Sequence, residues 1–114
     1  YYEKRQSVAI ENFKKCGVSD IITPLQGDAI EIIKNFDKGV LFDIIFMDAN
    51  KKEYLDYFNL LKSHLSPKAL ILADNIISHL QKVQPFINAI DSDKSFQYEI
   101  LELPGGLLVG YKNN

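Results

Sequence analysis

The apolar residues of this chain include two unbroken runs, each of which ends in acidic or amide side chains. The first run is Ile44 to Met47, and Asp48 follows it. The second run is Ala69 to Ala73, and Asp74-Asn75 follows it. Unbroken apolar runs of this length are typical of strands that are buried on both faces, as in a parallel sheet. We therefore predict two neighbouring parallel strands, each buried on both faces.

Elsewhere the apolar residues recur at helical spacing, which predicts four helices. The first helix ends before Gly17, because glycine is common just past a last helical turn. Asp28 caps the second helix, and Glu31 three positions later completes a capping box. The last helix begins at Pro85, because proline is tolerated in a first turn but not in a helix interior. The predicted helices are Tyr1 to Cys16, the segment after Asp28, Lys51 to Leu65, and Pro85 to Asp91.

Three further segments predict the remaining strands. Ile21 to Leu25 is β-branched, and Phe96 to Leu103 alternates roughly between apolar and polar residues. Pro104-Gly105-Gly106 supplies turn residues before Leu107 to Tyr111, so the last two strands should pair antiparallel. Alternating strands and helices followed by a hairpin predict an α/β fold, with a mostly parallel sheet and a terminal antiparallel hairpin.

The composition excludes several classes of protein. A net charge of -2 argues against a strongly basic nucleic-acid surface. The single cysteine, Cys16, rules out an internal disulfide and suits the reducing cytoplasm, where we place the protein. No apolar run approaches the roughly 20 residues of a membrane-spanning helix, so no membrane partner is expected. The chain also has no G-x-G-x-x-G motif.

Chemistry is expected just beyond the two apolar runs. In open α/β sheets, ligands bind beyond the carboxyl ends of the strands, where Asp48 and Lys51 lie. A second strand would deliver Asp74 and Asn75 to the same end of the sheet, which gives a plausible cluster of oxygen ligands. The alternative is that Asp48 only caps the next helix and that Asp74-Asn75 is only a polar turn.

Several short motifs occur in a fixed order along nearly the whole chain. They are Ala9 to Gly17 (AIENFKKCG), Gly27-Asp28-Ala29, Phe42-Asp43, Asp48-Ala49-Asn50-Lys51 with Tyr54, Leu65 and Pro67, Asp74-Asn75, and Leu103-Pro104 before Gly106-Leu107. No single motif is specific to one protein family. The ordered set is fairly specific, because D-A-x-K and D-N stand at the ends of successive strands. The ordered set resembles the small cation-dependent O-methyltransferases, the family of caffeoyl-CoA and catechol O-methyltransferases and their bacterial relatives.

This resemblance implies a Rossmann-like sheet of seven strands in the order 3-2-1-4-5-7-6, with the last strand antiparallel. Residues 1–114 would form a single partial methyltransferase domain that carries strands 3 to 7. Strands 1 and 2 would lie upstream, with the glycine-rich loop and the acidic residue that bind S-adenosylmethionine (SAM) in the family. We therefore expect this chain alone to be inactive.

The resemblance also implies a role for each side chain of the oxygen-ligand cluster. Asp48, Asp74 and Asn75 would bind a divalent cation, and hard oxygen ligands of this kind suit Mg²⁺, Mn²⁺ or Ca²⁺. The cation would hold the acceptor hydroxyl and stabilise its oxyanion. Lys51 would take the proton of that hydroxyl, if the cation and burial lower its pKa.

The function that the resemblance implies is SAM-dependent O-methyl transfer to a metal-bound hydroxyl. Gly27, Asp28 and Ala29 would line the adenine pocket, and Asp48 would be a further residue of the cofactor site. The acceptor would be a small catechol-like molecule or a hydroxylated uridine of tRNA.

Two other functions fit parts of the sequence. The stretch Phe42 to Lys51 also resembles the phosphoacceptor strand of a response-regulator receiver, with Asp48 as the phosphoacceptor. A receiver would carry Ser or Thr after the next strand, where this chain has Asp74-Asn75, and a Lys-Pro that is missing here. The third possibility is a non-catalytic, oligomerising fragment. Because unpaired strand edges invite pairing with another chain, we expect a homodimer or an edge-strand association.

Overall fold

The computed structural model describes residues 11–12, 14–15, 17, 21–22, 25 and 27–113. Contacts divide the chain into two units, Tyr1–Phe36 and Asp37–Asn114. No helix in the described part of the chain is long and apolar enough to cross a membrane. The single partial domain predicted for residues 1–114 stays a prediction.

The described residues of the first unit begin with helical turns. Residues 11–12 and 14–15 are helical, and Gly17 follows with a φ of 71°. The Gly17 N–H donates to the Lys14 carbonyl at 3.1 Å. This left-handed glycine is the helix stop that the sequence predicts. The remainder of the helix predicted from Tyr1 to Cys16 lies outside the described residues.

The strand predicted from Ile21 to Leu25 is wrong for the residues that are described there. Ile21 lies in a turn, and neither Ile22 nor Leu25 belongs to a regular element. The segment contains Pro24, which has no N–H to donate to a strand ladder. Among the described residues, no strand pairs with this segment. A β-branched composition alone therefore did not suffice to predict a strand at the described residues of this segment.

Helix α1 spans Ala29–Lys34 and begins where the sequence predicts. The Asp28 side chain accepts a hydrogen bond from the Glu31 N–H at 3.1 Å, as an N-cap does. Gly27 precedes the cap with a φ of 130°, a conformation that favours glycine. Two adjacent residues, Gly27 and Asp28, thus account for the local start of this helix.

The second unit is built on a sheet of four strands. These are β1 (Phe42–Met47), β2 (Leu65–Asp74), β3 (Phe96–Leu101) and β4 (Leu107–Lys112). Their order is β1-β2-β4-β3; β1 and β2 are parallel, and β4 is antiparallel to both of its neighbours. The α/β fold and the terminal antiparallel hairpin are confirmed. The order also matches the 4-5-7-6 part of the sheet that the resemblance implies.

Helix α2 spans Tyr54–Leu61 and has a 3₁₀ turn on each side, Lys51–Glu53 and Lys62–His64. The helix predicted from Lys51 to Leu65 is therefore confirmed except at its last residue. Leu65 instead begins β2, so the strand starts before the apolar run from Ala69 to Ala73 that predicted it.

Helix α3 (Leu80–Ser92) begins well before the predicted start at Pro85. Pro85 lies inside the helix, where it cannot donate a hydrogen bond to the carbonyl four positions earlier. Val83, which precedes the proline, is completely buried, as is Phe86. Val83 is the one buried residue between Leu80 and Pro85, and its burial favours a helix that begins before the proline. The local preference of proline therefore does not decide where the helix begins.

Helices α2 and α3 pack on one face of the sheet. Phe58 of α2 makes edge-on contacts with Phe86 of α3 at 5.5 Å and with Phe96 of β3 at 5.2 Å between ring centres. Aromatic edge-to-face pairs of this kind stabilise a core beyond the area that they bury. The completely or almost completely buried large side chains are Tyr54, Phe58, Ile71, Ile76, Val83, Phe86, Ile90 and Leu108.

The other face of β1 is exposed, which contradicts the prediction that this strand is buried on both faces. Ile44 is 61% exposed and Phe46 is 58% exposed, whereas Met47 is buried. Within the described part of the chain, β1 is an edge strand whose one neighbour is β2. The apolar run identified the strand correctly but could not say what covers it. A homodimer or an edge-strand association stays a prediction.

Candidate active site

The carboxyl ends of β1 and β2 place two aspartates side by side. Met47, the last residue of β1, lies opposite Ala73, and Asp48 and Asp74 are the residues that follow this pair. Paired strands are about 4.8 Å apart, so the two carboxylates extend from neighbouring backbone positions. The structure therefore brings together the two acidic residues that the sequence predicts at this end of the sheet.

Asp48 does not cap the helix that follows it. The cap is Asn50, whose side-chain oxygen accepts a hydrogen bond from the Lys52 N–H at 3.1 Å. Asp48 instead contacts Lys51, with 3.0 Å between Oδ1 and Nζ, and its side chain is 49% exposed. The alternative in which Asp48 serves only as a helix cap is therefore wrong.

Lys51 is held close to the sheet. Its side chain is only 12% exposed, and Nζ lies 5.2 Å from the centre of the Tyr54 ring. Desolvation is the largest single influence on the pKa of Lys51 and lowers it, but interactions with Tyr54 and Asp48 outweigh desolvation and raise the pKa above its ordinary value. The lowering by burial is thus not enough to bring the pKa of this lysine below its ordinary value, contrary to part of the condition placed on its role as a base.

Asp74 and Asn75 form a tight, strained turn at the end of β2. Asp74 Oδ1 accepts a hydrogen bond from the Asn75 N–H at 2.9 Å. Asn75 has a φ of 62°, in the left-handed region that asparagine enters more readily than most residues. The Asn75 carbonyl accepts from the His79 N–H at 3.1 Å, immediately before α3. This turn is thus fixed on both sides.

The β3–β4 hairpin supports the Asp74–Asn75 turn, a feature that the sequence analysis missed. The Gly105 carbonyl accepts hydrogen bonds from the N–H groups of Ile77 at 2.9 Å and Ser78 at 3.0 Å. The Gly106 carbonyl accepts from the Ile76 N–H at 3.2 Å. The adjacent glycines were a signal that something approaches the hairpin closely, although they did not indicate what approaches it.

Tyr54 entered the sequence analysis only as part of a motif, and its hydroxyl was overlooked. The hydroxyl lies 2.9 Å from the Met47 carbonyl and 3.0 Å from the Asp74 carbonyl. Burial is the main influence on the pKa of the Tyr54 phenol and raises it, so the hydroxyl remains a donor. The available signal was tyrosine rather than phenylalanine in a buried helical stripe, because a buried phenol needs a polar partner.

The predicted residues of the adenine pocket lie in the first unit. Gly27, Asp28 and Ala29 form the left-handed turn, the cap and the first residue of α1. Their geometry accounts for the start of the helix. Their contact with a cofactor stays a prediction.

The cluster at the strand ends fits a hard cation in its chemistry. Within the described residues there is no group of three or more His, Cys, Asp or Glu side chains placed to hold a metal. The candidate set has two carboxylates, Asp48 and Asp74, and the amide of Asn75. Their bonds to Lys51 and to the Asn75 N–H use Oδ1 of each carboxylate. Each carboxylate has a second oxygen, and oxygen ligands alone suit Mg²⁺ and similar cations.

Comparison with known proteins matches this chain to methyltransferases. A sequence model of the O-methyltransferase family matches residues 2–103. A catechol O-methyltransferase from Niastella koreensis is 35% identical over 79 residues, which cover 68% of this chain and 36% of that protein. The chain therefore spans little more than a third of this curated relative.

Two solved structures share the fold. The O-methyltransferase from Bacillus cereus, in complex with SAH, matches with a TM-score of 0.84 and 21% identity, over 97% of this chain and 59% of that one. TomG from Streptomyces achromogenes, an O-methyltransferase involved in tomaymycin synthesis, was solved with SAM. It matches with a TM-score of 0.89 and 16% identity, over 100% of this chain and 60% of that one.

These matches decide between the families that the sequence resembles. They do not favour the receiver alternative, in which Asp48 would be a phosphoacceptor, because the matched proteins are O-methyltransferases. The family match extends over most of the chain, and the catechol O-methyltransferase supports it independently. The chain belongs to the O-methyltransferase family.

Proposed function

We propose that the protein, as its gene encodes it, transfers a methyl group from SAM to a hydroxyl that a divalent cation orients. The observation that carries this proposal is the meeting of Asp48, Lys51, Asp74 and Asn75 where β1 and β2 end. Membership of the O-methyltransferase family supports the reaction. The SAH and SAM in the two solved relatives support the cofactor.

Particular residues would hold the cation. Asp48, Asp74 and Asn75 would bind Mg²⁺, with Mn²⁺ or Ca²⁺ as alternatives of the same hard character. When bound, the cation supplies positive charge that orients the acceptor hydroxyl and stabilises negative charge developing on its oxygen. The fixed backbone turn would keep Asn75 beside Asp74, so only the side chain of Asn75 would have to be oriented on binding.

Other residues would bind SAM. Gly27, Asp28 and Ala29 would line the adenine pocket, and Asp48 would be a further cofactor contact. A carboxylate with two oxygens can take part in both sets of contacts, which is why Asp48 appears in both.

Lys51 would accept the proton of the acceptor. Its Nζ lies 3.0 Å from Asp48 Oδ1, beside the proposed cation ligands. Its side chain is mostly shielded from solvent, which favours a defined position over a mobile one. In the transfer, the acceptor oxygen would give its proton to the neutral amine of Lys51 and would take the methyl group from the sulfur of SAM. SAM would leave as SAH, and the acceptor would leave as a methyl ether.

A catechol-like small molecule is the acceptor class that we favour. The relative named as a catechol O-methyltransferase supports it. A hydroxylated uridine of tRNA is the second candidate. The net charge of -2 supplies no general attraction for a nucleic acid, so tRNA would need a local basic patch.

The direct test is methyl transfer from labelled SAM to a catechol and, separately, to tRNA that carries hydroxylated uridine. We expect the catechol to be methylated, the reaction to stop in EDTA, and added Mg²⁺ to restore it, because the cation orients and stabilises the reacting oxygen. Transfer that persists in EDTA would contradict the role of the cation. Transfer to tRNA alone would identify the second acceptor instead.

Lys51→Ala should lower kcat by about 100- to 10,000-fold, the usual contribution of a positioned base, while the KM for SAM changes little. Lys51→Arg should be as slow, because a guanidinium keeps its proton and cannot act as a base. The measurement is steady-state kinetics with SAM and the acceptor varied separately.

The neighbouring Lys52→Ala is the matched control for Lys51, because Lys52 is exposed and follows Lys51 directly. It should retain wild-type kcat. An active Lys51→Arg variant would show that positive charge, and not proton transfer, is what Lys51 supplies. A higher KM for SAM with unchanged kcat in Lys51→Ala would remove the assignment of a base altogether.

A further inference from the structure

The Tyr54 hydroxyl joins the two strand ends that carry the proposed cation ligands. Tyr54 is completely buried, and its hydroxyl lies within hydrogen-bond distance of the Met47 and Asp74 carbonyls. Met47 directly precedes Asp48, and Asp74 is itself a proposed ligand. The regular pairing of β1 with β2 ends at Met47 and Ala73, so this hydroxyl links the strands where their ladder stops.

Packing explains the ring of Tyr54 but not its hydroxyl. The ring meets Phe86 edge-on at 5.9 Å and Tyr57 at 6.3 Å between ring centres. Phenylalanine would supply the same contacts. A phenol has one proton, so it can donate fully to one carbonyl at a time and is shared between the two. A donor shared in this way holds both carbonyls close to a single atom.

The same side chain also contacts the proposed base. Lys51 Nζ lies 5.2 Å from the centre of the Tyr54 ring, within the range of a cation–π contact. Lys51 in turn contacts Asp48 at 3.0 Å. Tyr54 thus contacts the ends of both strands through its hydroxyl and contacts Lys51 through its ring.

We propose that Tyr54 is a positioning residue that fixes the separation of Asp48 and Asp74 and thereby sets the affinity of the site for a divalent cation. This inference rests on the proposed function, because it assigns these aspartates to one cation. Tyr54 would not touch the cation, SAM or the acceptor. It acts through the backbone of the residues that do.

The test is Tyr54→Phe in the protein as encoded, with Mn²⁺ alone titrated by calorimetry. We expect Mn²⁺ binding to weaken by about 10- to 100-fold, as when a group that orients a metal ligand is removed. The kcat for methyl transfer should fall with the loss of bound cation. Amide hydrogen exchange at Asp48 and Asn75 should become faster, because both follow the released carbonyls.

Tyr57→Phe is the matched control. It makes the same change one turn further along α2, where the Tyr57 hydroxyl donates to Glu53 Oε1 at 2.7 Å rather than to a strand end. It should bind Mn²⁺ as the wild type does. Equal loss of Mn²⁺ affinity in both variants would overturn the proposal, since it would point to a general effect on the helix.

The remaining outcomes separate this proposal from the proposed function. If the wild type binds Mn²⁺ and Tyr54→Phe binds it equally well, the positioning role is overturned and the cation site stands. If the folded wild type binds no Mn²⁺, the cation site fails, and the role of Tyr54 fails with it. If Tyr54→Phe does not fold, the exchange of the Tyr54 hydroxyl proton with solvent is measured by NMR in the wild type instead. Slow exchange supports the shared hydrogen bond, and rapid exchange overturns the proposal.

Discussion

Asp74→Ala is expected to abolish methyl transfer and to leave a cooperative thermal unfolding transition. Asp74 supplies one of the two charged ligands proposed for the cation, and hard-cation sites depend on the number of charged ligands. Folding depends instead on the apolar part of β2, where Ile71 and Ala73 are buried. The measurements are kcat at saturating SAM and the Tm of the protein as encoded.

The expected loss of stability in Asp74→Ala is small. Asp74 Oδ1 accepts one hydrogen bond, from the Asn75 N–H at 2.9 Å. Removing such a bond costs about 1 kcal/mol, which corresponds to roughly 5 °C in the Tm of a domain of this size. A variant with this loss remains folded at assay temperature, so missing activity reports on the site rather than on the fold.

Asp74→Asn is the matched variant. The amide keeps an oxygen that can accept from the Asn75 N–H, but it carries no charge. It should have nearly the wild-type Tm and no methyl transfer. An active Asp74→Asn would show that Asp74 shapes the turn and does not ligate a cation. Loss of the cooperative transition together with activity in Asp74→Ala would also contradict the prediction, since the site could not then be separated from the fold.

The parts of the fold that could be predicted are those that local chemistry decides. The cap at Asp28 needs only a side-chain acceptor and a nearby N–H, and the structure contains that bond. The terminal hairpin follows from two strand-like segments separated by Gly105-Gly106. The order of the sheet is not local, and it was available only because the ordered motifs resemble a family with a known topology.

The errors occur where packing overrides a local preference. Pro85 favoured a helix start, yet α3 begins at Leu80, and the burial of Val83 favours this earlier start. The run from Ile44 to Met47 indicated burial on both faces, yet Ile44 and Phe46 are exposed in the structure. A sequence records the apolar character of a side chain, but it does not record which neighbours cover that side chain.

In the site, too, some features could be predicted from the sequence, and others depend on contacts between residues in the folded chain. Asp48 and Asp74 could be placed together because parallel strands end at the same side of a sheet. The pKa of Lys51 could not be predicted, because it depends on how contacts with Asp48 and Tyr54 balance desolvation. The bond between the Tyr54 hydroxyl and two strand ends could not be predicted either, since it joins segments that are far apart in sequence.

Gly106→Ala should strongly destabilise the hairpin. A Cβ at this position would lie 2.4 Å from Ile77 Cγ1 and 2.7 Å from the Ile77 backbone nitrogen. Gly106 also has a φ of 81°, which an alanine adopts only at a cost. Overpacking and the left-handed backbone together should cost about 3 kcal/mol, so the Tm should fall by roughly 10–20 °C.

Thermal unfolding of Gly106→Ala and Gly39→Ala, followed by circular dichroism, tests this prediction. Gly39→Ala is the matched control, because a Cβ there would meet no atom within 4 Å and the backbone is not left-handed. Its Tm should stay within about 2–4 °C of the wild type, as expected for a surface change of about 0.5 kcal/mol.

Relief of the clash in Gly106→Ala must move either the hairpin or Ile77, and the Ile77 N–H is bonded to the Gly105 carbonyl beside the Asp74–Asn75 turn. Mn²⁺ binding should therefore weaken in Gly106→Ala and stay unchanged in Gly39→Ala. A Gly106→Ala variant with wild-type Tm would show that the hairpin yields without cost and does not support the turn.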